Sequence, residues 1–221
     1  LQTTAVKDGD QYKVNGSKIW ITNGNCADII SLFVKSSAPE AKGGISALIV
    51  ETDTPGFSVG TIDDKMGLRG AKSAEVIFED MMIPAENLLG KEGRGFLTAM
   101  KTLDHGRIGV AAICLGLAKE SLNLSVRFAN ERVQFGAPIA KLQAIQWMIA
   151  DMSTRLEAAR MLCYKAAVLQ DAGERFSLEA AHAKLFCSET AGFCVDRAMQ
   201  ILGGYGYIGE FSTIETLYRD Q

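Results

Sequence analysis

The sequence predicts an α+β protein in which an antiparallel β-sandwich or barrel domain is followed by an antiparallel helical bundle. Two observations support this expectation. Residues 3–90 contain short apolar stretches separated by turn residues, whereas apolar residues after Gly95 recur every three or four positions. The first pattern is typical of strands and the second of amphipathic helices. We therefore expect one domain at residues 1–91 and a second at 92–221.

Turn residues divide the first part of the chain into short strands. Asp8-Gly9 and Asn15-Gly16 supply the positive φ angles that tight hairpins need, so each pair is expected to join two strands. Thr54-Pro55-Gly56 marks a further turn. The expected strands cover residues 3–7, 11–14, 17–22, 29–35, 45–51, 57–62 and 74–78.

Three long helices and the start of a fourth are expected after Gly95, which makes an incomplete bundle. Ser177 is the expected N-cap of the third helix, and Gly203-Gly204 is its expected end. The fourth helix should begin near Ser212. The residues expected to face the core are Phe96, Met100, Leu103, Val110, Cys114 and Leu117 in the first helix, Leu142, Ile145, Ile149, Met152, Leu156, Ala159, Cys163 and Ala166 in the second, and Leu178, Ala181, Leu185, Ser188, Gly192, Val195, Met199 and Leu202 in the third.

Composition argues against several classes of protein. The net charge is −3, with 23 basic residues scattered among 26 acidic ones, so a nucleic-acid surface is not expected. Five cysteines without a C-x-x-C pair are interpreted as reduced core thiols, and with only two histidines no metal site is expected. The apolar runs are interrupted, so no membrane insertion is expected. A bacterial cytoplasm and a mitochondrial matrix are both compatible with this composition.

Four segments could carry chemistry, and each has a structural alternative. Trp20 beside Thr22 could offer a flat face and a donor to an aromatic cofactor, or Trp20 could be a half-buried strand residue. The segment 200–204, Gln-Ile-Leu-Gly-Gly, exposes bare backbone at a helix end, or it is only a cap. It is not a Rossmann fingerprint, because no strand precedes it.

The remaining two segments lie on or next to the first long helix. Arg132 and Phe135 lie where this helix gives way to a turn, and the alternative is a solvated arginine with a core phenylalanine. Asp104 and Arg107 lie on one helix face and could form only an exposed ion pair. His105 is interpreted as a helix-surface residue.

Together, and in this order, these segments resemble the acyl-CoA dehydrogenase family over the whole chain. The signature around Asp104-His105-Gly106-Arg107 is most similar to the short-chain, butyryl-CoA type. The segments that carry the resemblance are Trp20-Ile21-Thr22-Asn23-Gly24, Asp64-Lys65-Met66-Gly67-Leu68-Arg69-Gly70, Phe78-Glu79-Asp80, Ile83-Pro84, Glu131-Arg132, Phe135-Gly136-Ala137-Pro138 and Gln200-Ile201-Leu202-Gly203-Gly204.

The resemblance implies FAD as the cofactor and an N-terminal helical domain that is absent from this chain. Asp104 and Arg107 would lie along the acyl-CoA groove. Because the FAD site would be shared between subunits, the resemblance also implies a homotetramer built as a dimer of dimers. The cofactor-binding residues that it implies are Trp20, Ile21 and Thr22 at the flavin ring, and Arg132, Phe135, Gln143, Gln200, Ile201, Leu202, Gly203 and Gly204 toward the FAD of a neighbouring subunit.

The implied reaction is α,β-desaturation of a short-chain acyl-CoA thioester to the trans-2-enoyl-CoA, with electrons passed to an electron-transfer flavoprotein. The catalytic base is expected to be a glutamate beyond Gln221. A variant position on the first long helix is occupied by Gly106, which has no acid–base group. Two alternatives stay open: an acyl-CoA oxidase that uses O₂, and a flavin-free acyl-CoA-binding or structural relative.

Overall fold

The computed structural model describes residues 2–36 and 44–221, which form strands followed by helices. The expected α+β order is confirmed. Two compact units divide the chain, Leu1–Thr102 and Leu103–Gln221. Their boundary lies inside the first long helix, so the expected domain boundary between residues 91 and 92 stays a prediction.

The strands of the first unit form one open six-stranded sheet in the described residues, not a closed barrel. The strands are β1 Thr4–Asp8, β2 Gln11–Thr22, β3 Ile29–Ser36, β4 Ile45–Glu51, β5 Phe57–Asp63 and β6 Ser73–Pro84. Their order across the sheet is β4-β3-β1-β2-β6-β5. All neighbouring strands are antiparallel except β1 and β3, which are parallel and pair Thr4 with Lys35.

The two glycine dipeptides behave differently. Asp8 pairs with Gln11 across a tight turn in which Gly9 has a φ of 60°, so the first hairpin is confirmed. The hairpin expected at Asn15-Gly16 is wrong, because β2 continues through it as a bulged strand. The Asn15 amide donates to Asp80 Oδ1 at 3.0 Å, and the Asp80 N–H donates to Asn15 Oδ1 at 2.9 Å. This reciprocal pair joins the irregular stretches of β2 and β6.

The core of the first unit consists of alternate residues from neighbouring strands. Val14, Leu48, Val76 and Met81 are fully buried, as the two-residue period of a strand requires. Phe78 lies in the same cluster and contacts Phe57 edge to face. This packing holds β2 in place up to the Trp20 segment.

The three expected long helices are present, and the last helix begins at Ile214, near the expected Ser212, but a short helix at Gly204–Tyr207 was not expected. A short ladder, β7 Val133–Gln134 with β8 Ala137–Pro138, was not expected and lies in the connection after the first helix. The helices are α1 Gly95–Glu131, α2 Gln143–Asp171, α3 Ser177–Leu202, α4 Gly204–Tyr207 and α5 Ile214–Asp220, with short 3₁₀ turns at Ala85–Asn87 and Ile139–Lys141.

The buried faces of the helices were predicted with mixed success. In α2 the expected residues from Met152 to Ala166 are buried, so that part of the prediction is confirmed, whereas Leu142 is exposed and Ile145 and Ile149 are only partly buried. In α3 the prediction is largely wrong, since Leu178 is 62% exposed and Leu185 is 57% exposed. The buried face of α3 is made of small side chains, because alanine and cysteine let packed helices approach closely. The residues buried on α3 are Ala180, Ala183, Cys187, Thr190, Ala191, Cys194, Val195, Ala198, Ile201 and Leu202.

In α1 the expected burial of Cys114 is confirmed, but Phe96, Met100, Leu103 and Val110 are exposed, and the small residues Ala111 and Ala118 are buried instead. By length and composition α1 could cross a membrane, a test that core helices of bundles also pass. Its buried residues pack into clusters shared with α2 and α3. The absence of membrane insertion stays a prediction.

All five cysteines lie in the described residues and are free, which agrees with reduced thiols. Cys26 is exposed and the other four are buried. Burial raises the pKa of Cys187 to about 12 and that of Cys194 to about 11. The thiols in the helices are therefore core residues that stay protonated at neutral pH.

Candidate functional site

Trp20 lies at a bulge near the end of β2. Lys18 pairs with Val76 and Ile21 pairs with Ala74, so that two residues of β2 oppose the single residue Glu75 of β6. Trp20 has a φ of 59° and is 73% exposed. Bulges of this kind redirect a side chain. The interpretation of Trp20 as a half-buried strand residue is therefore wrong, and the indole is available to a ligand.

The neighbours of Trp20 fix the segment in place. Ile21 is partly buried and packs against the sheet core, while Thr22 is exposed at the end of the strand. The turn that follows is held by the N–H of Asn23, which donates to the Lys72 carbonyl at 2.7 Å, and by that of Gly24, which donates to the Ile21 carbonyl at 3.0 Å. These hydrogen bonds and the packing of Ile21 fix the backbone that carries Trp20 and Thr22.

A cavity of about 480 Å³ lies in the helical unit beside the end of α1. The Arg132 guanidinium lies over the Tyr205 ring, with Cζ 5.1 Å from the ring centroid. Its Nη1 donates to the Tyr205 hydroxyl at 3.3 Å. The Tyr205 ring also contacts Phe128 and Phe211, at centroid distances of 5.6 and 5.2 Å. The cavity therefore combines one positive charge with an aromatic wall, and Ile201, Leu202 and Gly204 also line it.

Phe135 is at the tip of the β7–β8 turn, where it has a φ of 53° and is 94% exposed. Gly136 follows with a φ of 78°. The alternative of a core phenylalanine is wrong. Gln143 begins α2 and is also exposed. Neither Phe135 nor Gln143 lines the 480 Å³ cavity.

The 200–204 segment turns sharply at the end of α3. Ile201 and Leu202 are buried and anchor the segment, whereas Gln200, Gly203 and Gly204 are exposed. Gly203 has a φ of 56°, as its expected role at the helix end requires. Gln200 and both glycines line a second hollow of about 610 Å³ with Tyr207 and Tyr218.

Gly203 and Gly204 differ in whether the structure explains why each position is a glycine. A Cβ added at either position would meet no described atom within 4 Å. The positive φ explains Gly203, but neither backbone angle nor internal packing explains Gly204. Open backbone between two hollows can accept close approach by a ligand or another chain.

Asp104 connects α1 to the start of α3. Its Oδ1 accepts a hydrogen bond from Arg107, and its Oδ2 accepts one from the Ser177 hydroxyl at 2.6 Å. The Asp104 side chain is 20% exposed, so the alternative of an exposed ion pair is wrong for this residue. Ser177 is not the N-cap of α3, because Phe176 holds that position without a side-chain cap. The ring of His105 contacts that of Phe176 edge to face at 5.1 Å.

Several residues at these places were missed from the sequence. Tyr205, Phe128 and Phe211 build the aromatic wall, and Ser177 completes the Asp104 contact. The glycine-rich stretch around Tyr205 was a visible signal for the first of them. Ser177 had none, since it lies 73 positions from Asp104. In the described residues no group of three His, Cys, Asp or Glu side chains could hold a metal ion.

The two units carry features that fit different chemical groups. In the first unit, the exposed Trp20 indole on its bulge can pack against a flat aromatic ring. In the second unit, the cavity with Arg132 and its aromatic wall, beside the open backbone of Gly204, can bind a phosphate group.

Comparison with known proteins identifies relatives over the whole chain. An acryloyl-CoA reductase (NADH) of Anaerotignum propionicum is 49% identical over 100% of this chain and 56% of its own length. The butyryl-CoA dehydrogenase structure from Megasphaera elsdenii is 47% identical with a TM-score of 0.96, over 99% of this chain and 57% of that one.

A chain from a structural study of the electron transferring flavoprotein of Acidaminococcus fermentans is 51% identical with a TM-score of 0.94, over 99% of this chain and 57% of that chain. The chain thus spans somewhat more than half the length of these relatives. The family model for the acyl-CoA dehydrogenase middle domain matches residues 1–81, and that for the C-terminal domain matches 93–221. The chain therefore belongs to the acyl-CoA dehydrogenase family.

Proposed function

We propose that the protein catalyses the FAD-dependent α,β-desaturation of a short-chain acyl-CoA thioester to the trans-2-enoyl-CoA and passes the electrons to an electron-transfer flavoprotein. The observation that carries the proposal is the outward-facing Trp20 on its bulge, beside Thr22, in a chain of this family. The resemblance to the M. elsdenii butyryl-CoA dehydrogenase supports the substrate class. The resemblance to a chain from a structural study of an electron transferring flavoprotein supports the acceptor.

FAD, when bound, would accept the hydride that leaves the β-carbon of the thioester. Trp20 would pack flat on the ring system and the Thr22 hydroxyl would donate a hydrogen bond to it, while Ile21 anchors both. This requires no movement of the strand, because the bulge already directs the indole outward.

The 200–204 segment and Arg132 would contact the FAD of a neighbouring subunit, the 200–204 segment at its ADP portion. Gly203 and Gly204 lie at the C-terminal end of α3, where the helix dipole disfavours a phosphate. A positive side chain must therefore compensate, and Arg132 lies on the cavity that Gly204 also lines. Phe135 and Gln143 are exposed and would contact the cofactor from a neighbouring copy, which agrees with the expected homotetramer.

Proton abstraction requires a carboxylate, and Gly106, which occupies the variant position on α1, has none. We place the base beyond Gln221, in agreement with the sequence expectation. A carboxyl group in a pocket closed by substrate loses solvation, which raises its pKa toward neutrality. We assign Asp104 and Arg107 to the acyl-CoA groove instead, where the Asp104 carboxylate accepts hydrogen bonds from Arg107 and Ser177.

A second candidate is the reverse reaction, reduction of an enoyl-CoA. The acryloyl-CoA reductase of A. propionicum is as similar to this chain as the dehydrogenases are. The same residues would bind the substrate in both directions. The two candidates therefore differ in the electron partner, which is an electron-transfer flavoprotein for the dehydrogenase and NADH for the reductase. An oxidase that uses O₂ and a flavin-free relative are the remaining alternatives.

One experiment distinguishes these possibilities. The protein expressed from its natural reading frame is purified and its FAD content is measured, and butyryl-CoA is then added without oxygen. We expect loss of flavin absorbance at 450 nm and formation of crotonyl-CoA. Reoxidation by an electron-transfer flavoprotein supports the dehydrogenase, and reoxidation by air within seconds supports the oxidase. Reduction of acryloyl-CoA with NADH, together with no butyryl-CoA oxidation, supports the reductase. A colourless protein without FAD contradicts the proposal.

A further inference from the structure

Asp104 accepts hydrogen bonds on both of its carboxylate oxygens from two different elements. Arg107 is one turn away on α1, and Ser177 is the first residue of α3. Ser177 lies at the start of a 26-residue helix whose buried face packs in the bundle core. The hydroxyl is thus a fixed point, and it limits rotation of the Asp104 carboxylate.

A second contact reinforces this arrangement. The rings of His105 and Phe176 meet edge to face at 5.1 Å, so two consecutive residues of α1 contact two consecutive residues at the start of α3. Phe176 is the N-cap residue of α3, and its side chain makes no hydrogen bond to the first turn of that helix. The negative charge of the Asp104 carboxylate therefore also lies at the positive end of the α3 dipole, which stabilises the carboxylate in this position.

Arg107 depends on Asp104 for its position. An i,i+3 ion pair alone is too weak to hold a long flexible side chain in one rotamer. The Arg107 side chain is 41% exposed, and its Nη1 donates to Asp104 Oδ1. The outer part of the guanidinium can therefore bind an anionic or carbonyl oxygen of a ligand.

We propose that Ser177 is a positioning residue for acyl-CoA, which holds Asp104 so that Arg107 is oriented toward the phosphate and amide oxygens of the CoA portion. The inference rests on the proposed function, in which Asp104 and Arg107 line the acyl-CoA groove. Ser177 itself does not touch the substrate. Its contribution is to reduce the conformational freedom that Arg107 would otherwise lose on binding.

The test is a double-mutant cycle in the FAD-loaded protein expressed from its natural reading frame. The variants are Ser177→Ala, Ser177→Thr, Arg107→Gln and the Ser177→Ala/Arg107→Gln double variant. Ser188→Ala is the matched control, because the hydroxyl of this α3 serine donates to the carbonyl of Leu185 in its own helix. Crotonyl-CoA binding is followed by the change in flavin absorbance, and KM and kcat are measured with butyryl-CoA.

We expect Ser177→Ala to raise the Kd for crotonyl-CoA and the KM for butyryl-CoA by about three- to tenfold, with kcat changed by less than about twofold. Ser177→Thr keeps the hydroxyl, so its Kd for crotonyl-CoA should match that of the wild type. In the Arg107→Gln background, Ser177→Ala should change the Kd by less than about 1.5-fold, because the residue it positions is gone. Ser188→Ala should match the wild type.

Three results would overturn the inference. The first is an equal rise in Kd from Ser177→Ala in both backgrounds, which shows a structural effect independent of Arg107. The second is a lower melting temperature with unchanged Kd. The third is an Arg107→Gln variant that binds crotonyl-CoA normally, which removes Arg107 from the groove while the proposed function stands. Wild-type protein that holds FAD but binds no acyl-CoA would reject the proposed function itself.

Discussion

Arg132 and Tyr205 hold together two chain segments that are far apart in sequence. The guanidinium carbon lies 5.1 Å from the centroid of the Tyr205 ring, and Nη1 donates to the tyrosine hydroxyl at 3.3 Å. Arg132 follows the end of α1, and Tyr205 lies in α4 just after α3. The pair therefore forms one wall of the 480 Å³ cavity and aligns a positive charge with it.

Replacement of Arg132 by lysine should weaken FAD binding by about five- to twentyfold, because lysine keeps the charge but loses the planar group that stacks and binds phosphate with two donors. The measurement is the Kd for FAD after removal and titration of the cofactor. Tyr205→Phe is the matched control: it keeps the ring under the guanidinium, and the Kd should change by less than about twofold. An Arg132→Lys protein with wild-type affinity would show that Arg132 does not contact the cofactor.

Trp20→Ala should lower the FAD content of the purified protein and shift the flavin absorption band, because the indole would pack on the ring system. Unfolding free energy should change by less than about 1 kcal/mol, since removal of a 73% exposed side chain leaves no core cavity. Trp147→Ala is the control, because Trp147 on α2 is also exposed and has no assigned cofactor role. Equal FAD loss in both variants would contradict the assignment of Trp20.

Gly203→Ala should destabilise the fold, whereas Gly204→Ala should weaken FAD binding without destabilising the fold. Gly203→Ala puts a Cβ on a residue with a φ of 56° and a ψ of −132°, so it should destabilise the fold by about 1–3 kcal/mol in urea denaturation. Gly204→Ala meets no described atom within 4 Å and should leave stability within about 0.5 kcal/mol. It should nevertheless weaken FAD binding, because the added methyl group occupies the open space. Normal FAD affinity in Gly204→Ala would mean that the cofactor does not approach this backbone.

The buried thiols should make the fold less stable in alkaline solution. Burial raises the pKa of Cys187 to about 12 and that of Cys194 to about 11, above the ordinary value of 9.0. Unfolding exposes these thiols, which then ionise at a lower pH than in the fold. Their stabilising contribution is therefore complete below the unfolded pKa and is lost as pH rises toward the folded pKa.

The measurement is the unfolding free energy by urea denaturation between pH 7.5 and 10. Each buried thiol can add at most about 1.4 kcal/mol per pH unit to the decline. Cys187→Ala should show a shallower decline than the wild type, and Cys26→Ala, which changes an exposed thiol, should keep the wild-type slope. Parallel curves for wild type and Cys187→Ala would reject this account of the alkaline decline.

The elements of the fold could be predicted because their signals are local. Asp8-Gly9 forms its hairpin from its own backbone preferences, and Gly203 ends α3 for the same reason. The strand at Ile45–Glu51 has the expected bounds. Local preference failed at Asn15-Gly16, where Asp80 on a neighbouring strand offers reciprocal hydrogen bonds and the chain continues as a bulge.

The sequence by itself determined the order of strands and helices, the segments that resemble the acyl-CoA dehydrogenase family, and the residues proposed for the site. These depend on short-range periodicity, turn chemistry and motif order, all of which can be read along the chain. Only the tertiary structure decided that Trp20 and Phe135 face outward, that the small residues of α3 form its buried face, and that Ser177 donates to Asp104. Burial and cross-helix contacts depend on which surfaces meet in space, and residues 73 positions apart carry no local signal that they do.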